Sequence, residues 1–277
     1  MFLSILMPEL PEVETTLRGI EPYLVGRKIR EVIVRNRNLR WPVPDSIHEL
    51  EGHRILQGRR RGKYILLSSE AGTLMLHLGM SGSLRVSSPD QPWKKHDHLA
   101  LTTDQGMQMR LHDPRRFGAA LWIEGDPSEH PLLAELGPEP LSLEDFDVDY
   151  LQERCRSRSA PIKAVIMDSH TVVGVGNIYA CESLFMAGIR PDREAGKVSR
   201  LRLAKLVDAI REVLQASIEM GGTTLRDFVN EKGEPGYFQQ TLRVYDREEE
   251  PCCQCSSLIQ RIVMSNRSTY FCPRCQR

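Results

Sequence analysis

No apolar run in this 277-residue chain approaches the roughly 20 residues of a membrane-spanning helix. The opening "MFLSIL" is too short for a signal peptide, has no basic segment and runs straight into Pro8-Glu9. These absences give the expectation of a soluble, cytoplasmic protein. Net charge is absent too, with 37 basic against 37 acidic residues, so the total asks for no polyanionic partner. The seven cysteines do not make a secreted disulfide framework in a chain this long. There is no internal repeat and no low-complexity tract. The length suffices for two or three domains with a sizeable core.

What charge there is has been sorted along the chain. Residues 124–153 carry ten acidic residues and no Lys or Arg, whereas "RILQGRRRGK" at 54–63 carries five basic and no acidic ones. The stretch 251–277 carries four Arg and no Asp or Glu. Any one such run is ordinarily a solvated face. Two acid-free basic runs in separate segments point to a shared anion.

Pattern divides the chain further. Val13, Leu17, Ile20 and Leu24 recur at helical spacing, with Pro11 suited to the first turn and Gly26 as a stop. Short β-type runs follow: "REVIVRN", "YILLSS", "GTLMLHLG", "GSLRVSS", "HLALTT", "QMRLHD" and "GAALWIE". They read as an antiparallel sandwich or barrel. The acidic, Pro-containing stretch before 150 reads as a linker. Helical patterns come next, including a long amphipathic helix capped by Ser199 and ended by Gly221-Gly222. The organisation expected is an extension at 1–6, a β-sandwich at 7–135, a linker at 136–150, a helical domain at 151–242 and a Cys-rich tail at 243–277. The fold class is α+β and multidomain.

The most specific local signal is Cys252-x2-Cys255 followed, sixteen residues on, by Cys272-x2-Cys275. Two such knuckles supply four thiolates, a closed tetrahedral site for one structural Zn²⁺ with no position left for substrate. The intervening "LIQRIVMSNRSTYF" alternates like a hairpin that the metal holds, with Arg267 near its tip. Cys253 is the spare thiol. The turn "VVGVGNIY" offers backbone N–H groups at a helix start marked by Asn177; alone it reads as a plain helix–helix connection, and Lys163 and Arg158 before it strengthen the case for a bound anion. His77, His96 and His98 suggest no second metal, since no further ligands complete a set.

From Met7 to the end, the motifs "MPELPEVET", "GKYILL", "HLGMSG", "KHDH", "DPRRFG", "VVGVGNIYACESLF", "GGTTLRDFV", "GEPGYF" and the Cys pairs resemble, in order, the formamidopyrimidine-DNA glycosylases. These are bacterial base-excision repair enzymes that remove oxidised purines. Cys181 stands where that family commonly has Ser. The resemblance implies an N-terminal antiparallel β-sandwich with a flanking helix, a helix–two-turns–helix domain with a lesion loop at 223–240, and a C-terminal zinc-finger β-hairpin. It implies a monomer acting on damaged double-stranded DNA at the nucleoid.

The implied chemistry is a glycosylase and abasic-site lyase. Pro8, once the preceding residues are gone, attacks C1′ of the damaged nucleotide through its secondary amine. Glu9 protonates the sugar ring oxygen, Lys63 assists β-elimination and Arg267 δ-elimination. Met80, Arg115 and Phe117 fill the gap left by the extruded nucleotide and hold the orphaned cytosine. His77, His96, Arg158, Lys163 and Asn177 belong to the DNA-contacting set. Translation from Met7 is the expectation, because an internal Pro8 nitrogen is an amide without a nucleophilic lone pair. Two other readings stand beside this one: a glycosylase for oxidised pyrimidines, and a DNA-binding paralogue silenced by a retained extension.

Overall fold

The computed structural model describes residues 7–222 and 242–277. The extension at 1–6 and the lesion loop at 223–240 expected from sequence lie outside the described residues. The described chain forms two compact units, 7–134 with 220–222 and 135–219 with 242–277. No helix among the described residues is long and apolar enough to cross a membrane.

The first unit opens with helix α1 (Leu10–Leu24), which has Pro11 in its first turn and a capping box between Glu9 and Glu12. Eight strands follow: β1 (Ile29–Val34), β2 (Ile55–Arg61), β3 (Tyr64–Ser69), β4 (Thr73–His77), β5 (Ser83–Ser87), β6 (Asp97–Thr103), β7 (Gln108–His112) and β8 (Ala119–Ile123). They make two four-stranded antiparallel sheets, ordered β1-β6-β7-β5 and β2-β3-β4-β8. One continuous core runs from the apolar stripe of α1 (Val13, Leu17, Ile20, Leu24) through Ile65, Leu67, Leu74 and Leu76 to Leu99, Leu101, Met109 and Leu111. That is the expected sandwich with its flanking helix. One strand differs from the sequence reading. "RILQGRRRGK" was a basic run there, whereas most of it is strand β2, with Arg60 paired to Glu14 of α1 at 2.9 Å. Gly58 and three successive Arg hide the alternation that marks a strand.

The second unit holds α3 (Val148–Cys155), α4 (Ile162–Met167), α5 (Asn177–Met186) and α6 (Arg200–Glu219), after the short α2 (Pro131–Ala134) at the end of the first. The acidic stretch before α3 is anchored to α6. Arg211 donates to the carbonyls of Pro140, Ser142 and Phe146, and Phe146 is fully buried. The unit ends in the hairpin β9 (Gln260–Met264) and β10 (Arg267–Phe271). Ser265 and Asn266 turn it with φ of 47° and 59°, the double left-handed geometry of a tight hairpin.

Candidate functional site

Strand register decides which loops of the sandwich gather. Tyr64 pairs with His77 and His77 with Ala119 in one sheet. In the other, Ser83 pairs with His112 and His112 with Asp97. The β2–β3 turn, the loop after β4, the loop before β6 and the β7–β8 loop therefore all leave from strand ends in these two rows. Helix α1 adds its N-terminus to the first row. Its Leu17 and Glu21 lie against Gly58 and its Glu14 reaches Arg60, so it runs along β2 with its start toward Arg61 and Lys63. Pro8 and Glu9, both buried, thus sit at the Lys63 end of that sheet. The capping box holds Glu9: its carboxylate accepts the Glu12 N–H, and its own N–H donates to Glu12 Oε2 at 2.9 Å.

Lys63 occupies the second position of the two-residue β2–β3 turn, after Gly62 at φ +57°. Its ammonium and the Arg40 guanidinium act on His77. Burial first, and then these two cations, lower the His77 pKa to about 4. The ring is therefore neutral at physiological pH. It stacks at 4.9 Å on Tyr64, and its Nδ1 accepts the Gly79 N–H at 3.0 Å, which leaves the proton on Nε2. His77 thus shapes the turn that carries Met80.

Gly79 is the point where two loops touch. At φ +64°, a Cβ there would collide with the Phe117 carbonyl carbon and lie 2.5 Å from the Gly118 nitrogen. Half-buried Met80 and 44%-exposed Phe117 are thereby brought together. Arg115 lays its guanidinium 4.9 Å from the Phe117 ring centre, and its buried Nη1 has no hydrogen-bond partner among the described residues. A buried guanidinium nitrogen without an acceptor is uncommon in a folded chain.

His96 lies just before β6, with edge contacts to His98 at 6.3 Å and His112 at 5.9 Å. Its neighbour Asp97, a residue the sequence reading did not single out, is buried. Asp97 accepts from Arg85 at 2.6 Å, from His112 at 2.8 Å and from the Lys94 N–H at 2.8 Å. Burial raises its pKa, and the Lys94 N–H, His112 and Arg85 outweigh that and hold the carboxyl below its usual range. Arg110, also missed, is fully buried. It donates to the carbonyls of Pro89, Gln91 and Pro92 and sits 4.4 Å from the Trp93 ring centre, so it fixes the loop that leads to Lys94, Lys95 and His96.

In the second unit, Lys163 is 2% exposed. Its ammonium donates to Asn177 Oδ1 at 2.5 Å and to Thr269 Oγ1 at 2.6 Å, while Asn177 Nδ2 donates to the Ser268 carbonyl at 2.9 Å. The pair locks the start of α5 to β10 and so positions Arg267. A cavity of about 180 Å³ lined by Lys163, Met167, Asp168, Met264, Ser265 and Arg267 opens beside it. Arg158 reaches Asp168 at 3.9 Å. A further missed residue is Glu182 of α5, 2% exposed, which accepts the N–H groups of Arg243, Val244 and Tyr245, each at 2.9 Å.

The four hairpin cysteines form a metal centre. The sulfurs of Cys252, Cys255, Cys272 and Cys275 all lie within 4.8 Å of one another, with Cys252–Cys275 at 3.9 Å and Cys255–Cys272 at 3.5 Å. Zn–S bonds of about 2.3 Å in a tetrahedron place sulfurs about 3.8 Å apart, so the set fits Zn²⁺. The Gln254 N–H points at Cys252 Sγ and the Cys275 N–H at Cys272 Sγ, donors that favour thiolates. Cys253 is exposed and outside the set, and Cys155 and Cys181 are buried.

Comparisons with known proteins agree along the chain. Residues 7–120 match a formamidopyrimidine-DNA glycosylase N-terminal domain, residues 136–229 the H2TH domain of the same enzymes, and residues 249–277 a zinc finger found in FPG and IleRS. A formamidopyrimidine-DNA glycosylase of Thioalkalivibrio sulfidiphilus is 60% identical over 272 residues, 98% of this chain and all of that protein. One of Methylococcus capsulatus is 56% identical over the same spans. Among solved structures, MutM (Fpg) of Thermus thermophilus superposes with a TM-score of 0.87 at 39% identity, covering 97% of this chain and 98% of that one. Lactococcus lactis Fpg in complex with abasic-site DNA does so at 0.89 and 35%, covering 97% and 99%.

Proposed function

Because the chain belongs to the formamidopyrimidine-DNA glycosylase family, we propose that it excises oxidised purines, 8-oxoguanine and formamidopyrimidines, from duplex DNA and then cleaves the abasic strand. The observation that carries the reading is the gathering of Pro8-Glu9, Lys63 and the Met80 and Arg115–Phe117 loops at matched strand ends of one sandwich. It acts as a monomer in the cytoplasm.

The chemistry starts at Pro8. A free α-amine has a pKa of about 8, so part of it is neutral and nucleophilic at physiological pH. Attack on C1′ expels the base; loss of the amine proton and cleavage of the C1′–O4′ bond then give an iminium, whose charge makes the C2′ proton acidic, so that its removal expels the 3′ phosphate. Glu9, held by its capping box, delivers the proton to the ring oxygen as the sugar opens. Lys63 assists the first elimination and Arg267 the second. Extrusion leaves a gap that Met80 and Phe117 fill, while the Arg115 guanidinium donates to the orphaned cytosine. His77 and His96 flank this end, and Lys163 and Asn177 set the backbone that meets phosphate, with Arg158 nearby. Zn²⁺ on the four cysteines holds the Arg267 hairpin and takes no part in the reaction.

This mechanism needs a terminal amine at Pro8. Protein beginning at Pro8 is expected to be trapped covalently on 8-oxoguanine DNA by borohydride. Protein retaining residues 1–6 is expected to bind the duplex without forming that adduct, which is the silent paralogue reading. Equal trapping by the long form, shown intact by mass spectrometry, refutes Pro8 as nucleophile and turns attention to Lys63. Efficient cutting of oxidised pyrimidines with 8-oxoguanine left intact refutes the purine assignment.

A further inference from the structure

We propose that Asp113 is a positioning residue that fastens the loops carrying Met80, Arg115 and Phe117 into one rigid wedge, so that opposite-base discrimination depends on it; the inference rests on the function proposed above. Asp113 has no exposure to solvent. Its Oδ1 accepts from the Ser81 hydroxyl at 2.9 Å, in the Met80 loop, and from the Arg115 N–H at 3.3 Å, in its own loop. Its Oδ2 accepts from the Gly118 N–H at 2.8 Å. One carboxylate therefore closes the 113–118 turn at both ends and ties it across to Ser81, the residue after Met80.

The carboxylate is itself fixed. The Asp113 carbonyl accepts from His98 Nε2 at 2.8 Å, and its N–H donates to the His96 carbonyl at 2.9 Å, so β6 and the segment before it locate the backbone. The turn it closes includes Arg116 at φ +58°, a conformation that a non-glycine residue holds only when its surroundings impose it. The backbone abutment at Gly79 already forbids one loop from moving independently toward the other. Asp113 adds the attraction that keeps them from moving apart.

The donor set calls for a carboxylate. Three donors converge on its two oxygens. An asparagine offers one oxygen and one NH₂, and either orientation points the NH₂ at a backbone N–H, that of Gly118 or that of Arg115. Asp113→Asn thus preserves volume while creating a buried donor–donor contact. The consequence falls on Arg115. Its contact with an orphaned base is directional and weakens steeply with angle, whereas the amine chemistry at C1′ belongs to Pro8, ahead of the start of α1, and has no hydrogen bond to Asp113.

The test uses zinc-loaded protein beginning at Pro8. Single-turnover cleavage of 8-oxoguanine opposite cytosine and opposite adenine is measured for the parent, Asp113→Asn and Ser81→Ala, with kcat and KM on a pre-formed abasic site. Asp113→Asn is expected to lower the cytosine-over-adenine ratio by about fivefold or more, on the order of one hydrogen bond. It is expected to raise KM for the lesion duplex and to leave kcat at the abasic site within about twofold. Ser81→Ala, which removes only the cross-loop bond, should give a smaller fall in the same direction. A parent-like ratio in folded Asp113→Asn overturns the proposal, as does a loss of abasic kcat equal to the loss of ratio. If Asp113→Asn does not fold, an unchanged ratio in Ser81→Ala overturns it. A parent that cuts neither lesion duplex overturns the proposed function instead.

Discussion

The neutral His77 makes a quantitative prediction about pH. Its folded pKa of about 4 lies below the ordinary value of 6.5 because of burial and of the Lys63 and Arg40 charges. Between those two pH values the unfolded chain binds a proton at this position and the folded chain does not. Stability therefore falls as pH drops through 6.5, and the loss levels off below about 4. The full difference of about 2.5 units corresponds to about 3 kcal/mol, of which about 2 kcal/mol is lost by pH 5. His112, whose pKa is also lowered by burial, contributes with the same sign, so the parent curve alone does not isolate His77. His77→Asn does, because the amide oxygen can still accept the Gly79 N–H while the titrating group is gone. All three tryptophans, Trp41, Trp93 and Trp122, lie in the first unit, so their fluorescence during urea unfolding reports that unit alone. The parent should lose about 2 kcal/mol more than His77→Asn between pH 7 and pH 5. Parallel curves, agreeing within about 0.5 kcal/mol, refute the reasoning, since this His would then titrate alike in the folded and unfolded chains.

Two further outcomes follow from the site. Elemental analysis should find one Zn²⁺ per chain, and a strong chelator should abolish lesion-DNA binding while the helical circular dichroism of α3–α6 persists; zinc-free protein that binds as the parent does refutes this. Arg115→Ala should weaken cleavage of 8-oxoguanine opposite cytosine by the roughly 1–3 kcal/mol of a base contact, and equal activity of mutant and parent against all four opposite bases refutes that role.

The legible parts of this chain are those written in short-range pattern. The strands other than β2 show themselves as short runs of five to seven residues rich in apolar and β-branched types, bounded by Gly, Pro, Asp and Ser. The zinc site shows itself because each knuckle needs only a two-residue spacer. Strand β2 did not, because its meaning depends on Glu14, 46 positions before Arg60. Arg110 was hidden for a related reason. On β7 it faces away from Met109 and Leu111, which is where a polar residue belongs, and only the 89–92 loop folding over that face buries it. The burial of Lys163 is not legible in the sequence because its partners Asn177 and Thr269 come from another helix and from the hairpin.

The three missed carboxylates share one physical role, and it differs from that of the residues the motifs displayed. Pro8, Lys63, Arg115 and Phe117 are the groups proposed above to meet the DNA. Asp97, Asp113 and Glu182 are buried acceptors, each gathering three or more donors from segments 15 to 63 positions apart at the extreme. A buried carboxylate is costly unless its donors converge on it, so such a residue persists only where it fixes backbone that nothing else fixes. Here that backbone is the approach to His96, the two wedge loops and the 243–245 segment. Replacing any of the three leaves buried N–H groups unanswered, and the loop shifts although no ligand-facing atom has changed. Loss of DNA cleavage in such variants is therefore no evidence of contact with DNA. The split between kcat and KM, set beside a direct measure of folding, is what separates a group that touches the substrate from one that holds it in place.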